Sequence, residues 1–167
     1  MVHLVLLNYL QHYFLLNSKQ KISINNKYYD IKTDYLSGNF QRPLQAAHRF
    51  FGNLGYKTHI LDKGQQWKFD FTYNWIGKQQ LPYTASNPLA YQLPNQSLAY
   101  SLMNAQITRT FSSTFEVYVG GENIGNYTQS PAIVDAQNPF GPNFDATILH
   151  APVFGQMYYA GLRFKIK

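Results

Sequence analysis

The sequence contains no cysteine, which excludes disulfide bridges and thiolate metal sites as sources of stability. Charged residues are also few, at 13% of the chain, whereas soluble domains carry about 25%. No segment approaches the roughly 18 consecutive apolar residues that a membrane-spanning helix requires. An ordinary soluble domain and a helical membrane protein are therefore both poor interpretations of this sequence.

Aromatic residues are abundant instead. The chain has 14 tyrosines and 12 phenylalanines, yet its mean hydropathy is −0.33. The wall of a transmembrane β-barrel has this composition, because one face of each strand contacts lipid and the other contacts water. The net charge of +6 would suit nucleic acid or an anionic lipid surface, but lysine and arginine are scattered singly, so we expect no nucleic-acid partner.

The most apolar stretch is residues 1–16 at the N-terminus. It lacks the positively charged start of a secretion signal, and residues 17–20 offer no small-residue cleavage site. Because a barrel protein must be exported, we expect the polypeptide to begin upstream and this chain to be a fragment. Residues 1–20 show no sustained period and are interpreted as a strand, a helix or non-native start sequence. Residues 21–167 are interpreted as barrel strands.

The segment 67–77 alternates strictly between apolar and polar residues. Its apolar positions are Trp67, Phe69, Phe71, Tyr73 and Trp75. A period of two predicts a strand with one apolar and one polar face. A soluble sandwich strand also alternates, but its buried face is usually aliphatic, whereas aromatic girdles flank the apolar band of membrane barrels. We therefore predict that these aromatic side chains face lipid.

Weaker alternation elsewhere completes an all-β prediction. We expect an antiparallel meander of about seven strands, near residues 16–24, 28–36, 47–58, 66–78, 99–111, 114–124 and 155–167. Further lipid-facing residues are predicted at Phe115, Val117, Val119, Tyr158, Leu162, Phe164 and Ile166.

The predicted connections alternate in length. Short turns are expected at 25–27, 61–66 and 112–113, and long loops at 37–47, 79–97 and 125–154. Bacterial outer-membrane barrels have short periplasmic turns and longer extracellular loops. With the C-terminus in the periplasm, every short turn falls on the periplasmic side, so the loop lengths favour an outer-membrane barrel.

Several motifs strengthen this interpretation. Residues 102–126 (LMNAQITRTFSSTFEVYVGGENIGN), 138–142 (NPFGP) and 155–166 (GQMYYAGLRFKI) resemble the C-terminal barrel strands of TonB-dependent outer-membrane receptors, as do residues 44–56 (LQAAHRFFGNLGY). The resemblance covers about residues 28–167. It implies the C-terminal portion of a large transmembrane β-barrel in the outer membrane of a Gram-negative cell envelope. Such receptors are not enzymes; they take up scarce nutrients such as metal chelates, haem or cobalamin.

The sequence departs from this family in two respects. Nothing in it resembles the plug domain or the segment that engages the energy-coupling TonB protein. Phe164 is followed by Lys165, Ile166 and Lys167, whereas the family's chains typically end on or very near an aromatic residue. The implied partners are therefore outer-membrane lipid, the N-terminal barrel strands and plug that are missing here, and TonB acting through the missing part.

No catalytic residue, metal site or cofactor is predicted. The histidines are His3, His12, His48, His59 and His150. None has a second ligand at metal-binding spacing or an orienting partner for acid–base catalysis, so we interpret them as loop or interface residues. A hydrolase would require His48 or His150 to lie against a carboxylate and a serine in a cleft.

Most charged strand residues have the parity of the polar, inner face, where we expect them to bind one another, water and the plug. They are Arg49, Lys68, Asp70, Glu116, Glu122 and Arg163. Lysine or arginine on the lipid face at mid-membrane would cost about 2–4 kcal/mol. Arg109 is the exception, because it shares parity with Ile107 and Phe111. Its place beside a short turn would let the guanidinium snorkel into the headgroups.

Loop aromatics are the predicted ligand-binding residues: Tyr83, Tyr91, Tyr127, Phe140 and Phe144. One alternative function stays open, a small self-contained β-barrel or sandwich that binds carbohydrate or lipid. That alternative predicts that the aromatic face of residues 67–77 is buried in a protein core.

Overall fold

Strands account for most of the chain. The computed structural model describes residues 2–17, 20–35 and 38–166. Its strands are β1 (Val2–Asn17), β2 (Gln20–Tyr35), β3 (Gly38–Gln41), β4 (His48–Lys57), β5 (Gln66–Ile76), β6 (Tyr100–Thr110), β7 (Phe115–Glu122) and β8 (Met157–Phe164). They form one open sheet in the order β1-β2-β4-β5-β6-β7-β8, with β3 paired to β2. The predicted all-β antiparallel meander is confirmed.

In the described part of the chain, helix is limited to two short 3₁₀ turns, Asp62–Gly64 and Leu89–Tyr91. Across the described ranges, no helix has the length and apolarity needed to cross a membrane.

Strands β4 to β8 lie within a few residues of their predicted positions, but the predicted N-terminal strands are wrong. Strand β2 runs unbroken through the turn expected at 25–27, where Asn25 pairs with Gln11 on one side and Phe51 on the other. Asparagine favours turns locally, but pairing on both edges overrides that preference. Residues 2–17 form β1, and the connection to β2 at 18–19 lies outside the described residues.

The sheet has two chemically distinct faces. Pairing is unshifted from β2 across to β8, so alternate residues keep to one side of the sheet. The apolar face carries residues 22 and 24 of β2 and the even-numbered residues 50–56 of β4. It also carries the odd-numbered residues of β5 (67–75), β6 (101–109) and β7 (115–121), and the even-numbered residues 158–164 of β8. The polar face carries the intervening residues.

Short and long connections lie at opposite ends of the sheet. The short-loop end holds residues 58–65 and 111–114, and the long-loop end holds 42–47, 77–99 and 123–156. Among these connections the alternation expected from sequence is present, although residues 25–27 lie within β2 and form no turn.

Buried apolar side chains lie in the long loops rather than on the strands. Leu81, Val134 and Ile148 form one cluster, against which Leu44, Tyr91 and Leu93 pack. We call these residues the loop core. Among the side chains described, no strand residue belongs to the buried hydrophobic set. Among the described residues, the long loops therefore bury large apolar side chains, whereas the strands do not.

Candidate functional site

The apolar face is exposed from β4 to β8. Leu54 is 48% exposed, Val119 53% and Leu162 70%. The register brings Phe69 beside Ile107, and Ile107 beside Val119, so the exposed side chains form a continuous surface. The strand residues predicted to face lipid all lie on this surface. Ile166 lies beyond the end of β8 and is exposed.

Aromatic side chains lie at both margins of the apolar face and, on β5, also along its middle at Phe69, Phe71 and Tyr73. Tyr56, Trp67, Phe115 and Phe164 lie toward the short-loop end, and Phe50, Trp75 and Tyr158 toward the long-loop end. The ring centroids of Trp67 and Phe69 lie 6.2 Å apart in a stacked arrangement. Aliphatic and small side chains, including Ala105 and Ala160, occupy much of the middle. This distribution is typical of a surface that meets two interfaces and an apolar interior.

Arg109 is a charged residue on the apolar face, and its neighbours explain its position. Its guanidinium carbon lies 4.9 Å from the centre of the Trp67 ring and 5.6 Å from that of Phe111. One guanidinium nitrogen donates a hydrogen bond to Gln65 Oε1 at 3.3 Å. Because Gln65 belongs to a short connection, the charge is directed toward the margin of the face, as expected for a snorkelling side chain.

The polar face holds a charge cluster near the short-loop end. Glu116 is only 6% exposed and accepts from Lys68 Nζ at 2.9 Å, and it is also ion-paired with Arg163. The Thr110 hydroxyl donates to the same carboxylate at 3.3 Å. The predicted mutual pairing of inner-face charges is thus present for these residues, and it neutralises a carboxylate that would be costly to bury alone.

Polar side chains elsewhere on this face also bind one another. Asn53 Nδ2 donates to Thr72 Oγ1 at 2.9 Å. Gln106 donates to Thr108 Oγ1 at 3.1 Å and accepts from the Tyr159 hydroxyl at 3.1 Å. Thr108 is 3% exposed. Among the described strand side chains, the buried ones, Thr108 and Glu116, thus lie on the polar face and not on the apolar one.

Two glycines let tyrosines lie flat across β7 and β8. A Cβ atom at Gly161 would overlap the Tyr118 hydroxyl and ring, and one at Gly120 would overlap Tyr159. The two tyrosine rings approach each other edge to face, with centroids 6.2 Å apart. Glycine within a strand often marks such a close approach. The arrangement holds the register of the last strand pair.

Buried amides connect the long loops. Gln129 Nε2 donates to the Ile148 carbonyl at 2.7 Å, and Gln129 Oε1 accepts from the His150 amide at 2.9 Å. Gln79 Nε2 donates to the His150 carbonyl at 2.9 Å. The Tyr100 hydroxyl reaches that carbonyl too, also at 2.9 Å. Because such amides satisfy otherwise unpaired backbone groups, the loops adopt one packed arrangement.

A pocket of about 250 Å³ opens within this loop cluster. Its lining includes Leu93, Leu98, Tyr127, Gln129 and His150. Burial lowers the pKa of His150, although a hydrogen bond to the Ile148 backbone opposes the shift. Within the described residues, the His150 Nδ1 atom is buried without a hydrogen-bond partner. A neutral imidazole suits this environment.

A second pocket, of about 320 Å³, lies near the long-loop end of the polar face. Its lining residues with polar-face register are Asn25, Lys27, Arg49, Phe51, Asn74, Ile76 and Leu102. We call it the polar-face pocket. Phe50 and Trp75, which also border it, are register partners. The sequence assigned Arg49 to the inner face but missed Asn25 and Lys27, because both lay in the turn wrongly expected at 25–27.

The predicted ligand-binding aromatics do not form one site. Tyr127 lines the loop pocket and stacks on Tyr100 with centroids 4.7 Å apart. Tyr91 packs against the loop core. Tyr83 is 80% exposed, and Phe140 is fully exposed. Phe144 is 36% exposed.

Known proteins offer no further guide. No family model, curated protein or solved structure matches the chain. In the part of the chain that the structure describes, no cluster of three or more histidine and acidic side chains forms a metal site. The side chains of His3 and His12 lie outside the described residues.

Proposed function

We propose that this chain forms part of the wall of an outer-membrane β-barrel, in a TonB-dependent receptor that takes up a scarce nutrient such as a metal chelate, haem or cobalamin. The observation that carries the proposal is the inverted burial of the sheet. Large apolar side chains such as Leu54 and Leu162 are exposed on one face, while the polar side chains of Thr108 and Glu116 are buried on the other. Soluble monomers rarely expose an apolar surface of this extent.

Strand length supports a membrane location. Strands β5 and β6 have 11 residues each. At about 3.3 Å per residue and a tilt of about 45°, such a strand crosses roughly 25 Å, the height of the apolar band in outer-membrane barrels. The aromatic margins of the apolar face then lie at the two interfaces.

The loop asymmetry supports a receptor rather than a simple anchor. Gathered long loops at one end, with their own buried core, give a recognition surface on the side where barrel loops are extracellular. The proposed receptor combines this sheet with further strands that close the barrel, a plug, and the TonB protein that supplies energy. A closed barrel would also remove the exposed sheet edges, which otherwise favour aggregation.

A self-contained module that binds carbohydrate or lipid is the second candidate, favoured by the loop pocket of about 250 Å³. It requires another protein layer to cover the apolar face, whereas the receptor requires lipid to cover it. The two functions therefore differ in what contacts Trp67 and Trp75.

Fluorescence quenching by brominated phospholipid tests this difference. The two tryptophans lie about 26 Å apart along β5, or roughly 19 Å in depth at the usual tilt. In vesicles, the W67F and W75F variants should each show strong quenching of the remaining tryptophan, and more by bromine near the headgroups than by bromine at the bilayer centre. A cooperatively folded, detergent-free monomer whose tryptophans escape quenching would overturn the proposal.

A further inference from the structure

We propose that the polar-face pocket binds a small organic anion, in which a carboxylate or phosphate is joined to an apolar body. The pocket, at about 320 Å³, has the size of a small-molecule site. It lies on the face opposite the exposed apolar surface and close to the long loops. Its charge, its apolar wall and its lack of acidic residues each restrict the ligand.

Two cations lie directly opposite each other at this pocket. Lys27 and Arg49 are register partners on β2 and β4, an arrangement in which like charges destabilise the strand pair. None of the described residues that line the pocket is acidic. By contrast, Lys68 and Arg163 at the other end of the same face share the carboxylate of Glu116. An incoming anion would supply the missing negative charge and relieve the repulsion.

The remaining lining determines the rest of the ligand. Asn25 and Asn74 offer amide hydrogen-bond donors beside the cations. Phe51 is 37% exposed, and together with Ile76 and Leu102 it provides an apolar wall. A bare inorganic ion would leave this wall exposed to water. An amphiphilic anion would cover it and gain apolar contact area as well as charge neutralisation.

Binding itself follows from the pocket, whereas the ligand's role as a transported nutrient rests on the proposed function. The binding experiment therefore has to be separate from the lipid-quenching experiment. The side chain of Trp75 has the register of the apolar face, so binding in the pocket is measured by calorimetry rather than by tryptophan emission.

The chain, folded in detergent micelles, is titrated by isothermal calorimetry with cyclohexanecarboxylate, cyclohexyl phosphate, neutral cyclohexanecarboxamide and inorganic phosphate. We expect saturable binding of one or both organic anions, and at least tenfold weaker binding of the amide and of inorganic phosphate. The carboxylate and phosphate titrations identify the preferred acid group. K27Q and R49Q should each weaken binding at least tenfold. K57Q, which removes a cation from the same face of β4 at the short-loop end, should not.

A stability measurement separates binding from a structural role. Because each cation repels the other in the empty pocket, R49Q should raise the unfolding midpoint of the ligand-free protein while weakening binding. A lower midpoint together with unchanged binding would assign Arg49 a structural role and overturn the proposal.

Three further outcomes would also reject it: no saturable binding, equal weakening by K57Q, or inorganic phosphate binding as tightly as the organic anions. Saturation by an acidic peptide but by neither organic anion would assign the two cations to a polypeptide partner instead. If anion binding persists while lipid quenching fails, the outer-membrane function is rejected and the anion site stands. If lipid quenching is observed without anion binding, only the anion site is rejected.

Discussion

The long loops and the strands bury opposite kinds of side chain. In the loops, Leu81, Val134 and Ile148 are buried, as in a soluble protein. On the strands, Leu54 and Leu162 are exposed while Glu116 is buried. One chain with one composition thus follows two patterns of burial. The proposed function accounts for the contrast by two solvents, water around the loops and lipid around the apolar face.

The largest effect is expected from emptying the loop core. Ile148 is 3% exposed, so I148A should destabilise the loop cluster by about 2–5 kcal/mol through lost contacts and a cavity. The matched variant is I107A, on the apolar face, where the side chain is 41% exposed. In lipid it should cost less than about 1 kcal/mol, because lipid tails replace the lost contacts. Denaturant titration in micelles with hydrogen-exchange readout compares the two sites; similar losses would contradict the contrast.

A positive charge introduced on the apolar face of β5 should reduce stability almost as much as I148A does, whereas the same charge on the polar face should not. F71K puts a cation near the middle of the apolar face and should reduce stability in lipid by about 2–4 kcal/mol. T72K puts the same charge on the polar face one residue later, where we expect little change. Equilibrium unfolding from vesicles measures both variants. A larger loss from T72K would reverse the assignment of the faces.

Removal of the buried carboxylate tests the polar face. E116Q leaves Lys68 and Arg163 without their shared counter-charge, and we expect a loss of about 1–2 kcal/mol, since hydrogen bonds to charged groups contribute roughly that much after allowance for the exposure of both cations. E122Q on the same strand is the control. Thermal unfolding monitored by circular dichroism should show a lower midpoint for E116Q alone.

A smaller effect is expected at the margin of the apolar face. R109A removes the contact between the guanidinium and the Trp67 ring, worth about 0.5–1 kcal/mol. R109E should weaken binding to anionic vesicles more than R109A, because it reverses the charge at the interface. Vesicle co-sedimentation measures this difference. Equal binding by the native chain, R109A and R109E would contradict a position of Arg109 at the lipid interface.

The smallest effect concerns pH and the loop cluster. Because burial lowers the pKa of His150, the unfolded loops bind a proton more readily than the folded ones. Stability is therefore complete above the ordinary histidine pKa and declines as pH falls below it toward the depressed value. Protection factors of the His150 and Ala151 amides, which correct for the slower intrinsic exchange at low pH, should fall on acidification in the native chain but not in H150Q. An acid-insensitive native chain would contradict this.

Sequence reasoning was most successful where alternation was strong. In β5, five aromatic residues at every second position determine both the strand and its faces, and the structure matches the prediction. It failed in β2, where Asn25, Asn26 and Lys27 favour a turn locally. That choice also concealed Lys27 as the cross-strand partner of Arg49. No local signal shows whether an asparagine pair ends a strand or passes through the middle of a sheet.

The amino-acid sequence by itself determined the strands of the C-terminal two thirds, the sorting of their side chains into two faces, and the alternation of short and long connections. These follow from a period of two and from turn chemistry, which act over a few residues. Only the tertiary structure decided the strand register that brings Lys68 and Arg163 to Glu116. It also decided that Lys27 lies opposite Arg49, and that the loop core forms around Ile148. Such contacts join residues far apart in sequence, and their formation depends on how neighbouring strands pair.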